Sequence, residues 1–337
     1  MSGPLPRRAP AASGFPAAPR AFLAPLALAA LAALALSAAG CGGPLPPADP
    51  FYLGSAKDSL SRGNHWYLRG CFREAARFYD EALASARLSD SVVHMVMSLN
   101  ALGAVRLAEG NLGAAAALLD EAAELSRSDP AMPELPAVLG NLGTLAWRAG
   151  RRSDALGFWE DAASRAQAAG LSPAVHLASL ARARLGEGAP AEAAFADALE
   201  RARASLEHPG TPPAARADVL NLLARDAYRR GLLEESRSFL SQALEIDRHE
   251  ENQAGLAEDL ELSAKLQGAA EDFPAAASSL ERAFYLRAAL KDREGTRRVL
   301  SALRELRLSA GLPKSLERIE AVARDPELFS PMDDRCP

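Results

Sequence analysis

The sequence predicts an all-α solenoid of about seven helix pairs. Three observations carry that expectation: special positions that recur every 40 residues, small residues held in register within each copy, and Pro-rich breaks between copies. In the stretch LNALGAVRLAEGNLGAAAALLDEAA, residues 99–123, glycines interrupt an Ala and Leu helix, although each interior Gly costs roughly 1 kcal/mol against Ala. Forty residues on, Leu139, Leu142, Gly143, Gly150, Ala155 and Ala162 fall on the places of Leu99, Leu102, Gly103, Gly110, Ala115 and Ala122. Forty residues back, Gly63, Gly70, Ala75 and Ala82 do the same.

Each copy reads as two helices joined by a tight turn. Gly70, Gly110 and Gly150 follow the last residue of a first helix, where a left-handed cap costs Gly nothing sterically. Gly63, Gly103 and Gly143 lie inside that helix, where a missing side chain admits a close neighbour. In the second helix Ala75, Ala115 and Ala155 act likewise, and bulky Tyr79, Leu119 and Trp159 stand one turn along the same face.

This order of a small residue in the first helix, a turn Gly, then Ala, a large apolar residue and Ala in the second resembles the tetratricopeptide repeat. The usual period there is 34, so the 40-residue form departs from it. The long form resembles the repeats of kinesin light chains through Leu99-Asn100-Ala101-Leu102-Gly103, Leu139-Gly140-Asn141-Leu142-Gly143 and Leu220-Asn221-Leu222-Leu223-Ala224. The resemblance implies a right-handed superhelix with a concave groove. Weaker copies continue the register, with Gly231, Ser236, Leu240 and Ala243 in one and Glu271, Ala276, Leu280 and Ala283 in the next, its turn Gly lost. A fourth unit is placed on Gly186, Ala191, Phe195 and Ala198, and a divergent end unit on Gly311 and Leu316. The pairs run from about residue 57 to 323 and leave no room for a separate catalytic domain. The expected organisation is a signal segment at 1–40, a tether at 41–55, the solenoid at 56–325 and a tail at 326–337.

Composition agrees with that reading. Of 337 residues 49% are apolar and only 6% aromatic, which suits a stack held by neighbour contacts and not by one large core. Acidic residues outnumber basic ones, 43 to 38, with the signs interspersed, and no basic patch with interleaved aromatics suggests nucleic acid. The five histidines are dispersed, with no pair at metal-binding helical spacing, no phosphate loop and no nucleophile elbow. The paired carboxylates Asp120-Glu121 and Glu160-Asp161 recur with the repeat and read as second-helix surface. The sequence therefore predicts no enzyme, no cofactor and no metal.

At the N-terminus Arg7, Arg8 and Arg20 precede AFLAPLALAALAALALSAAGC, and residues 1–40 carry no acidic side chain, as in an export signal. The ending Ala38-Ala39-Gly40-Cys41 resembles the lipobox of bacterial lipoproteins, which implies lipidation and a new N-terminus at Cys41. Gly42 after the Cys favours the outer membrane by the sorting rule of that family, and GGPLPPADP would extend roughly 3 Å per residue as a spacer. Losing the three signal arginines leaves 35 basic against 43 acidic residues, about −8. Ordinary cleavage to a secreted form and an uncleaved anchor facing the cytoplasm stay open as alternatives. Cys71 and Cys336 are expected to be incidental, with an intermolecular link as the other possibility.

By resemblance, such a stack holds a protein or peptide partner in its groove, lined by first helices. Carrying the family's groove positions onto this register selects Asn64, Tyr67, Asn100, Leu107, Thr144, Trp147 and Arg148 in the first three units. It selects His176, Arg184, Asn221, Arg225, Tyr228 and Arg229 in the next two. Asparagines could grip an extended backbone at both C=O and N–H, and Trp, Tyr and Arg supply anchors. Arg148, Arg184, Arg225 and Arg229 would form a basic stripe for carboxylates, or pair with neighbouring Glu and Asp.

Overall fold

The computed structural model of the chain describes residues 50–127, 132–185, 189–311 and 317–324. Among them are fourteen α-helices, no strands and one short 3-10 turn. The first two units are α1 (Phe51–Leu68) with α2 (Phe72–Leu88) and α3 (Val92–Ala108) with α4 (Leu112–Ser126). The middle units are α5 (Leu135–Arg148) with α6 (Arg152–Ala168), α7 (Ala174–Arg184) with α8 (Ala189–Ala204), and α9 (Pro213–Arg229) with α10 (Leu233–His249). The last are α11 (Gln253–Ala269) with α12 (Phe273–Ala289), and α13 (Arg293–Ser309) with the eight-residue α14 (Glu317–Arg324). Helices pack within each pair and then onto the next pair, and α3, α7 and α9 also meet the first helices that follow or precede them. The fold is thus the all-α solenoid that the period predicts.

The in-helix glycines are explained by what lies opposite. A β-carbon at position 103 would stand 2.7 Å from the Leu119 side chain, and one at 143 would stand 2.6 Å from the Trp159 indole. At position 63 the ring of Tyr79 fills that space. Each in-helix Gly is therefore the socket for the large residue of its own second helix. Where Leu240 and Leu280 take that role, Ala224 and Ala264 stand at the matching positions of α9 and α11, and Ala224 is fully buried. Ala75, Ala82, Ala115, Ala122, Ala155 and Ala162 are wholly buried, so the seam between units is built from small residues.

The turns also follow the register. Gly70, Gly110, Gly150, Gly231 and Gly311 have φ between 62° and 78°, and Glu271 adopts φ 60° where the turn Gly is missing. The connections between units contain Asp90, Glu251 and Lys291 at φ 49° to 57°, left-handed positions without glycine. Asn111, Asn252, Asp272 and Asp292 cap helices by accepting from the backbone N–H three residues on. The connector before α9 is tied down: Thr211 donates to the Ser205 carbonyl at 2.7 Å, and its hydroxyl lies 2.7 Å from that of Ser172.

Several boundaries differ from expectation. The first helix starts at Phe51, directly after Pro50, so residues 51–55 belong to α1 instead of the tether. Gly186 and Leu316, like residues 1–49 and the tail, lie outside the described residues, and so does Cys41. Phe195 and Ala198 are buried as the fourth unit requires. Cys71, almost fully buried before α2, takes part in a disulfide and is not incidental. One contact reaches far along the chain: Arg69 at the end of α1 pairs with Glu251 in the turn between α10 and α11. Among the described residues no helix is long and apolar enough to cross a membrane.

Candidate functional site

The selected groove residues separate into two groups. In the first three units they are largely engaged with other residues of the protein. The Asn141 amide donates to Asn100 Oδ1 at 2.9 Å, Tyr79 donates to Asn64 Oδ1 at 2.8 Å, and the Thr144 hydroxyl donates to the Gly140 carbonyl at 3.1 Å. Arg148 donates to the carbonyl of Leu107, whose side chain is buried. The Tyr67 phenol is pushed up by burial, against the pull of nearby Arg148, and its ring lies 5.6 Å from Phe72. Trp147 packs on Trp159, centroids 5.9 Å apart, and carries Arg152 5.3 Å above its ring. Asn64 and Arg148 remain exposed; the side chain of Leu107 does not reach the open face because it fills the seam with Leu119 and Leu145.

His176 is also a correction. It is buried against α5, where its Cε1 and Nδ1 occupy the space a β-carbon of Gly140 would need, each 2.7 Å away. Burial lowers its imidazole to about 4, so it is neutral at physiological pH and offers no charge to a ligand. Asn221 is buried as well and spent internally: its amide donates to Asp259 at 2.6 Å, and its oxygen accepts from Arg225 at 2.6 Å. It therefore cannot grip a backbone.

A cleft of about 780 Å³ is formed by α7, α9, α11, α12 and α13. Only Arg225 and Tyr228 of the selected residues line it. Arg184 instead donates to the Ala194 carbonyl at 3.0 Å, and Arg229 pairs with Glu192 at 3.0 Å beside Phe195. Its apolar lining includes Ala264, Phe273, Leu280, Val299 and Leu306. Charged side chains line it as well. Arg182 reaches Asp218 at 3.2 Å and Glu258 at 3.3 Å, and Arg225 reaches the same Glu258 at 3.8 Å. Glu261 is likewise shared by Arg287 at 2.8 Å and Arg298 at 3.2 Å. The four arginines expected to form a basic stripe are thus divided: Arg225 and Arg229 pair with Glu258 and Glu192, while Arg148 and Arg184 donate to the Leu107 and Ala194 carbonyls.

Arg182, Lys265, Arg287 and Arg298 were not among the selected positions. A signal was present: Asp218, Glu258 and Arg298 stand 40 residues apart, as do Arg225, Lys265 and Glu305. These are two charged columns on consecutive first helices. Among the described residues no group of three or more His, Cys, Asp or Glu could hold a metal ion.

Fold and cleft together define a repeat protein of tetratricopeptide-like helix pairs. No protein-family model matches the sequence, and no curated protein is significantly similar to it. Among solved structures the chain is similar to the TPR2AB-domain:pHSP90 complex of yeast Sti1, at 14% identity and a TM-score of 0.28, covering 81% of this chain and 98% of that one.

Proposed function

We propose that this protein is a non-catalytic interaction scaffold that positions partner proteins at the bacterial cell envelope. The observation that carries the reading is the cleft of about 780 Å³, which is lined both by apolar side chains and by the guanidinium groups of Arg182, Arg225, Arg287 and Arg298. Such a surface combines anchoring pockets with polar groups that set orientation. Anchors come from Tyr228 and Phe273, and orientation from Arg225 and Arg298. Nothing in this arrangement activates a nucleophile, and the cleft's work is to bind.

The lipobox-like ending at Cys41 supports a lipid anchor, with the solenoid facing the periplasm and Gly42 favouring the outer membrane. Intact mass and membrane partitioning of the chain expressed in a bacterial host, beside a Cys41→Ala version, test the anchor. Loss of the first 40 residues with gain of acyl mass, absent from the variant, supports it; an unprocessed chain in both overturns it. A photo-crosslinker at Tyr228 tests the scaffold. Capture of discrete envelope proteins is expected, and the absence of any adduct argues against this cleft as the binding surface.

A further inference from the structure

We infer that Cys71 is joined to Cys336, so that a disulfide clasp fastens the segment after α14 to the turn of the first unit and closes only once the chain has been exported. The choice of Cys336 over Cys41 rests on the lipid-anchor reading.

Cys71 follows Gly70 in the turn between α1 and α2, is 4% exposed, and is disulfide-bonded. A single copy of the chain holds that bond, so its partner is one of the two other cysteines, Cys41 or Cys336. Both lie outside the described residues. Chemistry separates them. A lipoprotein cysteine carries its diacylglyceryl group through a thioether, which leaves no S–H to oxidise. That leaves Cys336.

The curl of the stack puts Cys71 within reach of that residue. Arg69, two residues before Cys71, pairs with Glu251 in the turn that leads into α11. From there α12 packs on α11, and α14 packs on α12 and α13. Two helix-to-helix steps of about 10 Å each therefore separate α14 from the helix that starts beside the first turn. The twelve residues from Arg324 to Cys336 extend to about 40 Å, enough to cover that span with slack.

Closure balances as an exchange. The two S–H bonds of this chain and the S–S bond of a donor protein disulfide break, one S–S bond forms between Cys71 and Cys336, and two electrons and two protons end on the donor's sulfurs as a dithiol. Donors of that class work in oxidising compartments, whereas cytosolic thiols are kept reduced, so closure follows export. The clasp also answers a weakness of the architecture. Units in a stack contact only their neighbours, so each end unit is held from one side, and the last unit here contains the eight-residue α14. A bond from Cys71 to Cys336 closes a loop that contains every helix from α2 to α14 and restricts the unfolded chain.

The test is peptide mapping by mass spectrometry of the full chain exported in a bacterial host, purified without reductant after its free thiols have been alkylated. A Cys71–Cys336 cross-linked peptide that disappears on reduction is expected, beside an acylated Cys41. Cys336→Ser is expected to melt roughly 5 °C below the parent, to match the reduced parent, and to be insensitive to reductant. Alkylated Cys336 beside acylated Cys41 overturns the pairing and leaves the anchor standing. Cys71 linked to Cys41 overturns both, and the Cys71–Cys336 peptide beside an unprocessed N-terminus supports the pairing and overturns the anchor. A link between Cys71 and Cys336 of two copies, seen as a mixed peptide when isotope-labelled and unlabelled chains are co-expressed, overturns the clasp. A parent whose melting ignores reductant overturns its structural role. Precursor held in the cytoplasm by blocking export is expected to have both thiols alkylated; a bond already present there overturns the dependence on export.

Discussion

The indole of Trp159 lies in the space that a β-carbon at position 143 would occupy, 2.6 Å from it. Gly143→Ala is therefore expected to destabilise the chain by about 1–2 kcal/mol, overpacking outweighing the gain in helix propensity. Trp159→Leu in the same chain is expected to recover part of that loss, because Leu stands opposite Gly103 and Ala224 in other units. Urea denaturation of the two single variants and the double variant gives the coupling directly. Additive effects would show that the two side chains do not share this space.

Glu271 holds a left-handed turn that glycine holds in the units with Gly70, Gly110, Gly150, Gly231 and Gly311. Glu271→Gly removes a steric cost of roughly 1 kcal/mol per residue and is expected to raise thermal stability by a degree or more. Gly110→Ala is expected to do the reverse, since no atom crowds a β-carbon there and only φ 77° opposes it. Calorimetry on both variants checks the pair.

A third expectation concerns pH. Asp247 and Asp259 are almost wholly buried and each is raised to about 7, first by burial. The carboxylates of Asp218 and Glu258 raise both further and Asp259 also raises Asp247, while the Asn252 amide on Asp247, and Asn221 with Arg225 on Asp259, oppose the shift. The folded state thus holds protons that the unfolded chain gives up near the ordinary carboxylate range. Their stabilising contribution is complete below about pH 4 and is lost as pH rises through 7. Asp259→Asn, neutral at every pH and still able to accept from Asn221, is expected to be more stable than the parent at pH 8 and to approach it at pH 5. An unchanged difference between the two pH values would place these carboxyls outside the titration.

Much of the fold was legible because its determinants are local and periodic. A turn Gly and an in-helix Gly seven residues before it mark a pair by themselves, and Tyr79, Leu119 and Trp159 could be matched to Gly63, Gly103 and Gly143 by spacing. Turns between units were not legible where Asp90, Glu251 and Lys291 adopt positive φ without any glycine to announce it. The groove was legible only in part. Which face of a first helix opens to solvent depends on how closely the next unit stacks, and that buried His176 beneath Gly140 and Asn221 beneath Arg225. The charged columns through Glu258 and Lys265 needed the register to be carried into the last two units, where no glycine or aromatic drew attention to them.

The pairing of Arg69 with Glu251 ties together two distant units of the stack. A ladder of units joined only to their neighbours tolerates a rung inserted or removed anywhere along it, because no rung senses the count. Here two residues 182 positions apart meet across the stack, so the stack has a circumference as well as a length. Duplication or loss of any unit between α1 and α11 would carry Arg69 past its partner by the width of a helix pair. Units added beyond α14 would leave the pair untouched. Growth at the C-terminal end would thus keep this one contact, and growth in the middle would part it.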